Sequence, residues 1–440
     1  MKDRPNILFM FTDQQSASMM GCSGNPYVQT PAMDSLADSG IRFERTYCTN
    51  PVCVPSRFSL MTGRMPSAIG LRSNDDSGVG NIPEEVLAGG LGWRLKAAGY
   101  DVGYGGKEHL PRMRTKDLGF DYFCSDERDG LAQACVDFIN RERDKPFFLT
   151  ASFINPHDIC YLALRDFTES EEARALVASG VTEVEALDQA LRMPEGMSRK
   201  TFFDTVCPPL PDNHAPQADE PGAIDFLLDQ RPFRRNARER YTAEQWCLHR
   251  WAYCKLTEEV DRQIGRVLEG LRASGQAENT IVIFSSDHGD LDGAHRMEHK
   301  TAFYEEACRV PLIMSGPGIA AGRVSRELVS NGLDLLPTLC DFAGTPISDG
   351  LAGQSIRPLA EGRPGPGTRS YLPLESEIGR MIVTKDYKYM VYDFGVNPEQ
   401  LFDLQKDPGE MHNVVADPAY EQAIGHCREL FLRQFGAIRV

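Results

Sequence analysis

Short, continuously apolar runs alternate with segments of helical periodicity along most of this chain. "NILFMFT" (Asn6–Thr12) reads as a buried strand, and "TPAMDSLADSG" (Thr30–Gly40) as a short helix closing on glycine. "GLGWRLKAAGY" (Gly90–Tyr100) is a helix leading into "DVGYGGK", a strand that ends in a Gly-rich turn. "LAQACVDFINRER" is a further helix, followed by the strand "PFFLTASF" (Pro146–Phe153). A long helix over Trp251–Gly275 precedes the strand "TIVIFSS" (Thr280–Ser286). A strand that is apolar at every position has two faces to bury. The alternation therefore predicts an α/β fold, a mostly parallel sheet sandwiched by helices.

Two regions depart from the pattern. Tyr161–Tyr241 is rich in charge, proline and short helical pieces, and reads as an insertion near a pocket mouth. After about Gly350, "RMIVTKDYKYMVYD" holds two β-like runs split by "KDYK", and a final helix follows "LFDLQKDPGEMHNV". This predicts a large α/β domain over residues 1–350, with the insertion at about 161–241, and a small antiparallel α+β subdomain over 351–440.

A net charge of −16 excludes a nucleic-acid binder, which needs a basic face, and requires any anionic substrate to be drawn by a local cationic pocket. No apolar run reaches the length of a membrane span, about 18 residues. The start, "MKDRPNILFMFTDQQ", lacks the small-residue cleavage site of a signal peptide. The expected location is cytoplasmic as the chain stands, and periplasmic or secreted if a leader was removed. The 12 cysteines include no C-x-x-C pair, which sets aside zinc-ribbon and thioredoxin-like readings and leaves reduced, mostly buried thiols.

Ligands of a doubly wound sheet sit beyond the C-terminal ends of its strands. Four strands here end in Asp13-Gln14, Lys107-Glu108-His109, His157-Asp158 and Asp287-His288. Asp13, Gln14, Asp287 and His288 have the composition of a divalent cation site: carboxylates and an amide oxygen suit Ca²⁺ or Mg²⁺, and the imidazole also admits Mn²⁺ or Zn²⁺. The plainer reading makes Asp13 and Asp287 helix N-caps. Arg57, Lys107, His109, His157 and Lys300 form a cationic set suited to an anion and to proton transfer near neutral pH. His295 and His299 are spaced to face one way on a helix, but no H-E-x-x-H supports zinc there. In "NPVCVPSRFSLMTGR" (Asn50–Arg64), where a strand reads as running into a helix, Cys53 has three readings: a nucleophile, a buried filler, or the precursor of another group.

"CVPSR" resembles the C-x-P-S-R motif of the type I, formylglycine-dependent sulfatases of the alkaline phosphatase superfamily. Those four fixed positions recur by chance on the order of once in a thousand chains of this length. "RPNILFMFTDQQ", "TPAMDSLADSGIRFERTY", "GKEH", "SSDHGD", "HKTAFYEEACRVPLI" and "LFDLQKDPGEMHN" also resemble sulfatase segments, in order, so the likeness runs from about residue 4 to about residue 415. It implies a large mixed, mostly parallel sheet of the alkaline-phosphatase type. It further implies that a maturation enzyme oxidises Cys53 to formylglycine, whose hydrate attacks sulfur beside the cation and then collapses back to the aldehyde as sulfate leaves.

Carried over by position, Asp13, Gln14, Asp287 and His288 would hold the cation together with the modified Cys53. Ca²⁺ is the expected ion, with Mg²⁺ or Mn²⁺ as alternatives. Arg57 would orient the hydrate, Lys107 would bind it and a sulfate oxygen, and His109 would take the hydrate proton. His157 and Lys300 would stand at the leaving oxygen, and Pro55 and Ser56 would serve maturation and the turn. Many arylsulfatases carry Asp-Asp and Asp-Asn where this chain has Asp13-Gln14 and Asp287-His288. The pairing here looks more like choline sulfatases and phosphonate monoester hydrolases. The expected activity is sulfuric ester hydrolysis on a small or oligosaccharide sulfate, with no nucleic acid or membrane partner. A phosphonate monoester or phosphodiester hydrolase, and choline-sulfatase-like action on a small alkyl sulfate, are the alternatives. A catalytically silent binding protein would be expected to have lost Cys53, Arg57 or Asp13, and all are present.

Overall fold

The computed structural model describes residues 4–347, 350–365 and 369–436; the extreme ends of the two expected domains lie outside these. Eight strands form the main sheet: β1 (Asn6–Asp13), β2 (Gly40–Tyr47), β3 (Asp101–Gly106), β4 (Asp121–Cys124), β5 (Phe147–Pro156), β6 (Thr280–Ser286), β7 (Leu312–Ser315) and β8 (Arg323–Ser330). Their order is β4-β3-β5-β1-β6-β7-β2-β8. β7 pairs antiparallel with both neighbours, and the other pairings are parallel.

The two-sided burial read from the sequence is present: every residue of β1, β5 and β6 is buried. On β1, Ile7, Phe9 and Phe11 join one core with Phe58, Met61, Leu335 and Leu339, from the helices Cys53–Thr62 and Asn331–Ala343. Leu8 and Met10 point to the opposite core, with Phe138 and with Val260, Ile264 and Leu268 of the helix Ala243–Ala273. The period of two thus gives one strand two cores.

The long helix starts at Ala243, eight residues ahead of the expected start at Trp251. Its first turns, "AEQWCLHR", fall outside the helix read from the sequence, although Thr242 and Gln245 form a capping box. Four strands of the main sheet escaped the sequence reading. β2 is interrupted by Arg42, Glu44 and Arg45; β4 and β7 have four residues each; and β8 is exposed over most of its first half. Residues 161–240 fold into six short helices with connecting turns.

The small sheet is antiparallel, in the order β12 (Glu399–Asp403), β11 (Tyr387–Tyr392), β10 (Gly379–Val383), β9 (Leu372–Ser376). The helix Glu421–Phe435 covers one face through Ile424, Cys427, Leu430 and Phe431. Met381, Met390 and Tyr392 on the other face pack against Phe303, Tyr304 and Cys308. "KDYK" is not wholly a break: Tyr387 and Lys388 already belong to β11. Lys388 is tolerated inside the strand because it is 2.8 Å from Glu410 and 3.0 Å from Glu305. Burial and the nearby Glu305 push Glu410 up to about 8 despite Lys388, so this fastening carries one firmly ionised carboxylate, Glu305, held low by Lys388 and Arg309 against its own burial.

Candidate active site

β3, β5, β1 and β6 are adjacent, and their register aligns their ends: Asp13 lies opposite Pro156, Thr12 opposite Ser286, and Gly106 opposite Ser152. The residues that follow, Gln14, Lys107, His157 and Asp287, therefore share one rim. After β2, the chain passes through Asn50 and Pro51 into the helix Cys53–Thr62, which is buried at every position. Cys53 occupies its first turn, where unpaired backbone N–H groups and the helix dipole favour an anion. The thiol lies 3.1 Å from His288 Nε2, 3.1 Å from Lys300 Nζ and 3.6 Å from Asp13 Oδ1.

The two carboxylates divide their oxygens. Arg57 Nε donates to Asp287 Oδ2 (2.8 Å) and Nη2 to Asp13 Oδ2 (2.9 Å), while Nη1 donates to Ser152 Oγ and to the Lys107 carbonyl (both 2.8 Å). Lys107 Nζ also binds Asp13 Oδ2, at 2.7 Å. The Oδ1 atoms of Asp13 and Asp287 instead stand 3.8 and 3.6 Å from His288 Nε2. His288 Nδ1 lies 2.9 Å from the Gly289 carbonyl. A carbonyl only accepts, so Nδ1 carries the proton and Nε2 faces Cys53, which is how an imidazole presents itself to a metal.

Gln14, held at φ 70°, donates its amide N–H to Asp290 (2.6 Å), which turns Oε1 towards Lys300 Nζ (2.6 Å) and the Cys160 thiol (3.1 Å). Asp13, Cys53, Asp287 and His288 each offer a ligand atom within 4.8 Å of one another, the only such group among the described residues. Oxygens about 2.4 Å from a central Ca²⁺ stand up to about 4.8 Å apart. The donor set thus fits a divalent cation.

Burial and Asp13 act to raise the Cys53 thiol, but Lys300, His288 and Lys107 outweigh them and hold it well below the ordinary range. Asp13 is kept ionised against its burial by Lys107, Arg57 and Lys300. Burial and the charge on Asp13 push Asp287 upward. Burial and Lys107 depress His157, leaving it neutral near pH 7. This is a centre that concentrates positive charge around a small anionic core, as an anionic substrate in an acidic protein requires.

The expected site residues Asp13, Gln14, Cys53, Arg57, Lys107, Asp287, His288 and Lys300 meet within this network. His157 joins through its electrostatic contact with Lys107 and Asp13, and His109 stands exposed on the loop after β3. Asp290, Ser152 and Cys160 were not foreseen in these roles; only Asp290, inside "SSDHGD", carried a sequence signal. His295 and His299 do not share a helix face. His295 lies at φ 51° with its ring stacked on Tyr304 (centroids 3.7 Å apart), and His299 meets Phe233.

Burial first, with Lys388 and Arg238, lowers His295 to about 3. A histidine kept neutral when folded but protonated when unfolded adds stability above pH 6.5 that is lost as the pH falls towards 3. The expected loss is up to about 1.4 kcal/mol per pH unit in that window. Urea midpoints at pH 7 and pH 5 are expected to differ less in His295→Phe than in the parent protein; an unchanged difference would remove His295 as the source.

A mixed α/β sheet with paired cation-binding and anion-binding groups at one rim defines an alkaline-phosphatase-like hydrolase. The sulfatase profile matches residues 5–345, and that of the N-sulphoglucosamine sulphohydrolase C-terminal region matches residues 293–434. The chain belongs to the sulfatase family, as the C-x-P-S-R resemblance implied, and is a sulfatase enzyme. The Delta 4,5-hexuronate-2-O-sulfatase of Bacteroides thetaiotaomicron is 29% identical over 456 residues, covering 98% of this chain and 88% of that protein. A solved 2-O GAG sulfatase superimposes with a TM-score of 0.82 at 28% identity, over 98% of this chain and 92% of its own. The phosphonate monoester hydrolase of Agrobacterium radiobacter shares the fold, with a TM-score of 0.74 at 22% identity over 99% and 96% of the two chains. Sulfatases generally employ a metal ion and a formylglycine. No helix among the described residues is long and apolar enough to cross a membrane.

Proposed function

We propose that the protein releases inorganic sulfate from a sulfated carbohydrate, using a formylglycine made from Cys53 by a maturation enzyme and one divalent cation, Ca²⁺ in the first instance. The observation that carries this reading is the convergence on the Cys53 thiol of Asp13, from the end of β1, and of His288 and Lys300, from the connection between β6 and β7. The hexuronate sulfatase relative supports the sugar as substrate class. In the same reading, residues 1–350 are the catalytic unit and 351–440 a subdomain that completes the pocket.

Asp13, Gln14, Asp287, His288 and the residue at position 53 hold the cation. When bound, it polarises the sulfate ester and the oxygen nucleophile supplied by the matured residue. Lys107 and Lys300 bind the sulfuryl oxygens, donors fixed in place before reaction by Asp13 and Gln14. Arg57 acts through the two carboxylates it ties together. His157 and Lys300 face the leaving oxygen, where one of them gives a proton or hydrogen bond, and His109 takes a proton from the group at position 53.

The test is the mass of the tryptic peptide Thr46–Arg57 from protein made with the maturation enzyme, together with sulfate release from sulfated sugars. An aldehyde or its hydrate at position 53 supports the reading, and an intact thiol overturns it. Chelation is a second check. Stripping the cation is expected to abolish turnover and to lower unfolding stability by about 2.7 kcal/mol relative to protein at a hundred times the ion's Kd. Re-addition of Ca²⁺, Mg²⁺ or Mn²⁺ singly then ranks the ions. Gln14 and His288, where many arylsulfatases carry Asp and Asn, favour one alternative, a phosphonate monoester hydrolase with the same site. Rates on matched sulfate and phosphonate esters separate the two.

A further inference from the structure

The helix Pro232–Arg240, from the segment between β5 and β6, carries four arginines. Three are paired: Arg235 with Asp225, Asp229 and Glu239; Arg238 with Glu220; Arg240 with Glu169. Arg231, just ahead of the helix, pairs with Glu172. Arg234 has no ion pair or hydrogen bond among the described residues, and its Nε is shut off from solvent without a partner. Leaving a guanidinium partly desolvated and unpaired is costly, so a fold that keeps one has a use for its free donors.

Its position says what that use is. Phe233, the preceding residue, packs on the His299 ring with centroids 5.3 Å apart, and His299 precedes the Lys300 that reaches Cys53. The field of Arg234 falls on His299, on Cys160 and on Glu377. Cys160 donates to Gln14 Oε1, within the cation site. Glu377, in the turn between β9 and β10, is half-buried and has no hydrogen bond or ion pair among the described residues. Arg234 and Glu377 thus stand on the side of the site where His299 and Cys160 lie, one offering N–H donors and the other carboxylate acceptors, with no hydrogen bond or ion pair between them. Burial and Arg231 depress Arg234 to about 10, still fully charged at neutral pH.

We propose that Arg234 binds a second oxyanion on the substrate, a sugar carboxylate or a second sulfate, while Glu377 accepts from sugar hydroxyl groups. The substrate is then an acidic carbohydrate carrying at least one anion besides the ester that is cleaved. A planar fork of donors matches such an oxyanion, and an acidic protein must place this cation locally to hold a dianion. The inference rests on the carbohydrate-sulfatase reading.

The experiment uses matured protein and four probes: a sulfated disaccharide with a uronate, the same sugar with its carboxyl reduced to the alcohol, that reduced sugar carrying a second sulfate, and 4-nitrophenyl sulfate. The parent protein is expected to prefer a dianionic probe to the reduced one. Arg234→Met is expected to lose about 10- to 100-fold in kcat/KM on the preferred dianionic probe, mainly through KM. It should stay within about threefold on the reduced sugar and on 4-nitrophenyl sulfate, and Arg234→Lys should recover part of the loss. Whether the loss follows the uronate or the second sulfate identifies the anion. An equal loss on charged and reduced sugars, or no loss at all, overturns the proposal. If the variants fold poorly, the parent's own preference decides: no preference for either dianion overturns the proposal as well. Cleavage of 4-nitrophenyl sulfate with no sulfate released from any sugar instead overturns the carbohydrate reading beneath it.

Discussion

Cys53→Ala is expected to lower sulfate release by about 10⁶-fold, the scale on which removing a nucleophile acts, while the protein still folds. The residue is completely buried, but its thiol contacts Lys300, His288 and Asp13 rather than an apolar core. Shortening it removes an anionic partner of Lys300 and one prospective cation ligand, and opens a space no larger than one sulfur atom. Turnover of a soluble aryl sulfate and a urea unfolding curve measure the two effects separately. A variant that unfolds would favour the buried-filler reading of Cys53, and one that retains turnover would end the nucleophile assignment. Cys53→Ser separates chemistry from shape further. It restores a hydroxyl of similar size, but serine lacks the second hydroxyl of an aldehyde hydrate and cannot expel sulfate as the aldehyde re-forms.

Arg57→Met is expected to destabilise the fold by about 3–5 kcal/mol, because it leaves buried carboxylates without their partner. Arg57 is 1% exposed and supplies four of its N–H donors to Asp287, Asp13, Ser152 and the Lys107 carbonyl. Lysine is a poor substitute. A single ammonium cannot span both Oδ2 atoms, so Arg57→Lys should recover only part of the loss. Urea denaturation with and without chelator is the measurement. The deficit should be larger with chelator, since the cation neutralises the same two carboxylates through their other oxygens. A deficit below about 1 kcal/mol in chelator would mean that Lys107 and His288 suffice, and that Arg57 is not the clamp.

Much of the fold was legible because its signals are local. Continuous apolar strands, helices closing on glycine and the two β-like runs of the small sheet each occupy a dozen residues or fewer. What escaped did so for physical reasons. β8 is an edge strand whose first half is largely exposed and polar, and β7 is too short for a period to register. The "KDYK" stretch looked like a break because a lone lysine in a strand is unfavourable until Glu305 and Glu410, 3.0 and 2.8 Å away, take up its charge and donors. Asp13, Gln14, Asp287 and His288 stood out in the sequence because each lies at or just after the end of a strand. The supporting Ser152 did not, since nothing in its spacing distinguishes it from other polar residues of a strand, and the one signal for Asp290 was its place in "SSDHGD".

By itself the sequence determined the fold class, the chemistry at each strand end and the kinship carried by "CVPSR", all properties of short stretches read one at a time. The tertiary structure alone decided which of those ends meet. β1 lies between β5 and β6 because crossovers place it there, and Lys300 reaches Cys53 across 247 residues of chain. It also decided that Arg234 is the arginine of its helix without a partner among the described residues, when four such residues lie within seven positions of one another. Spacing along a chain specifies a face and an end, whereas contact between distant segments depends on strand order and packing, which no single stretch encodes.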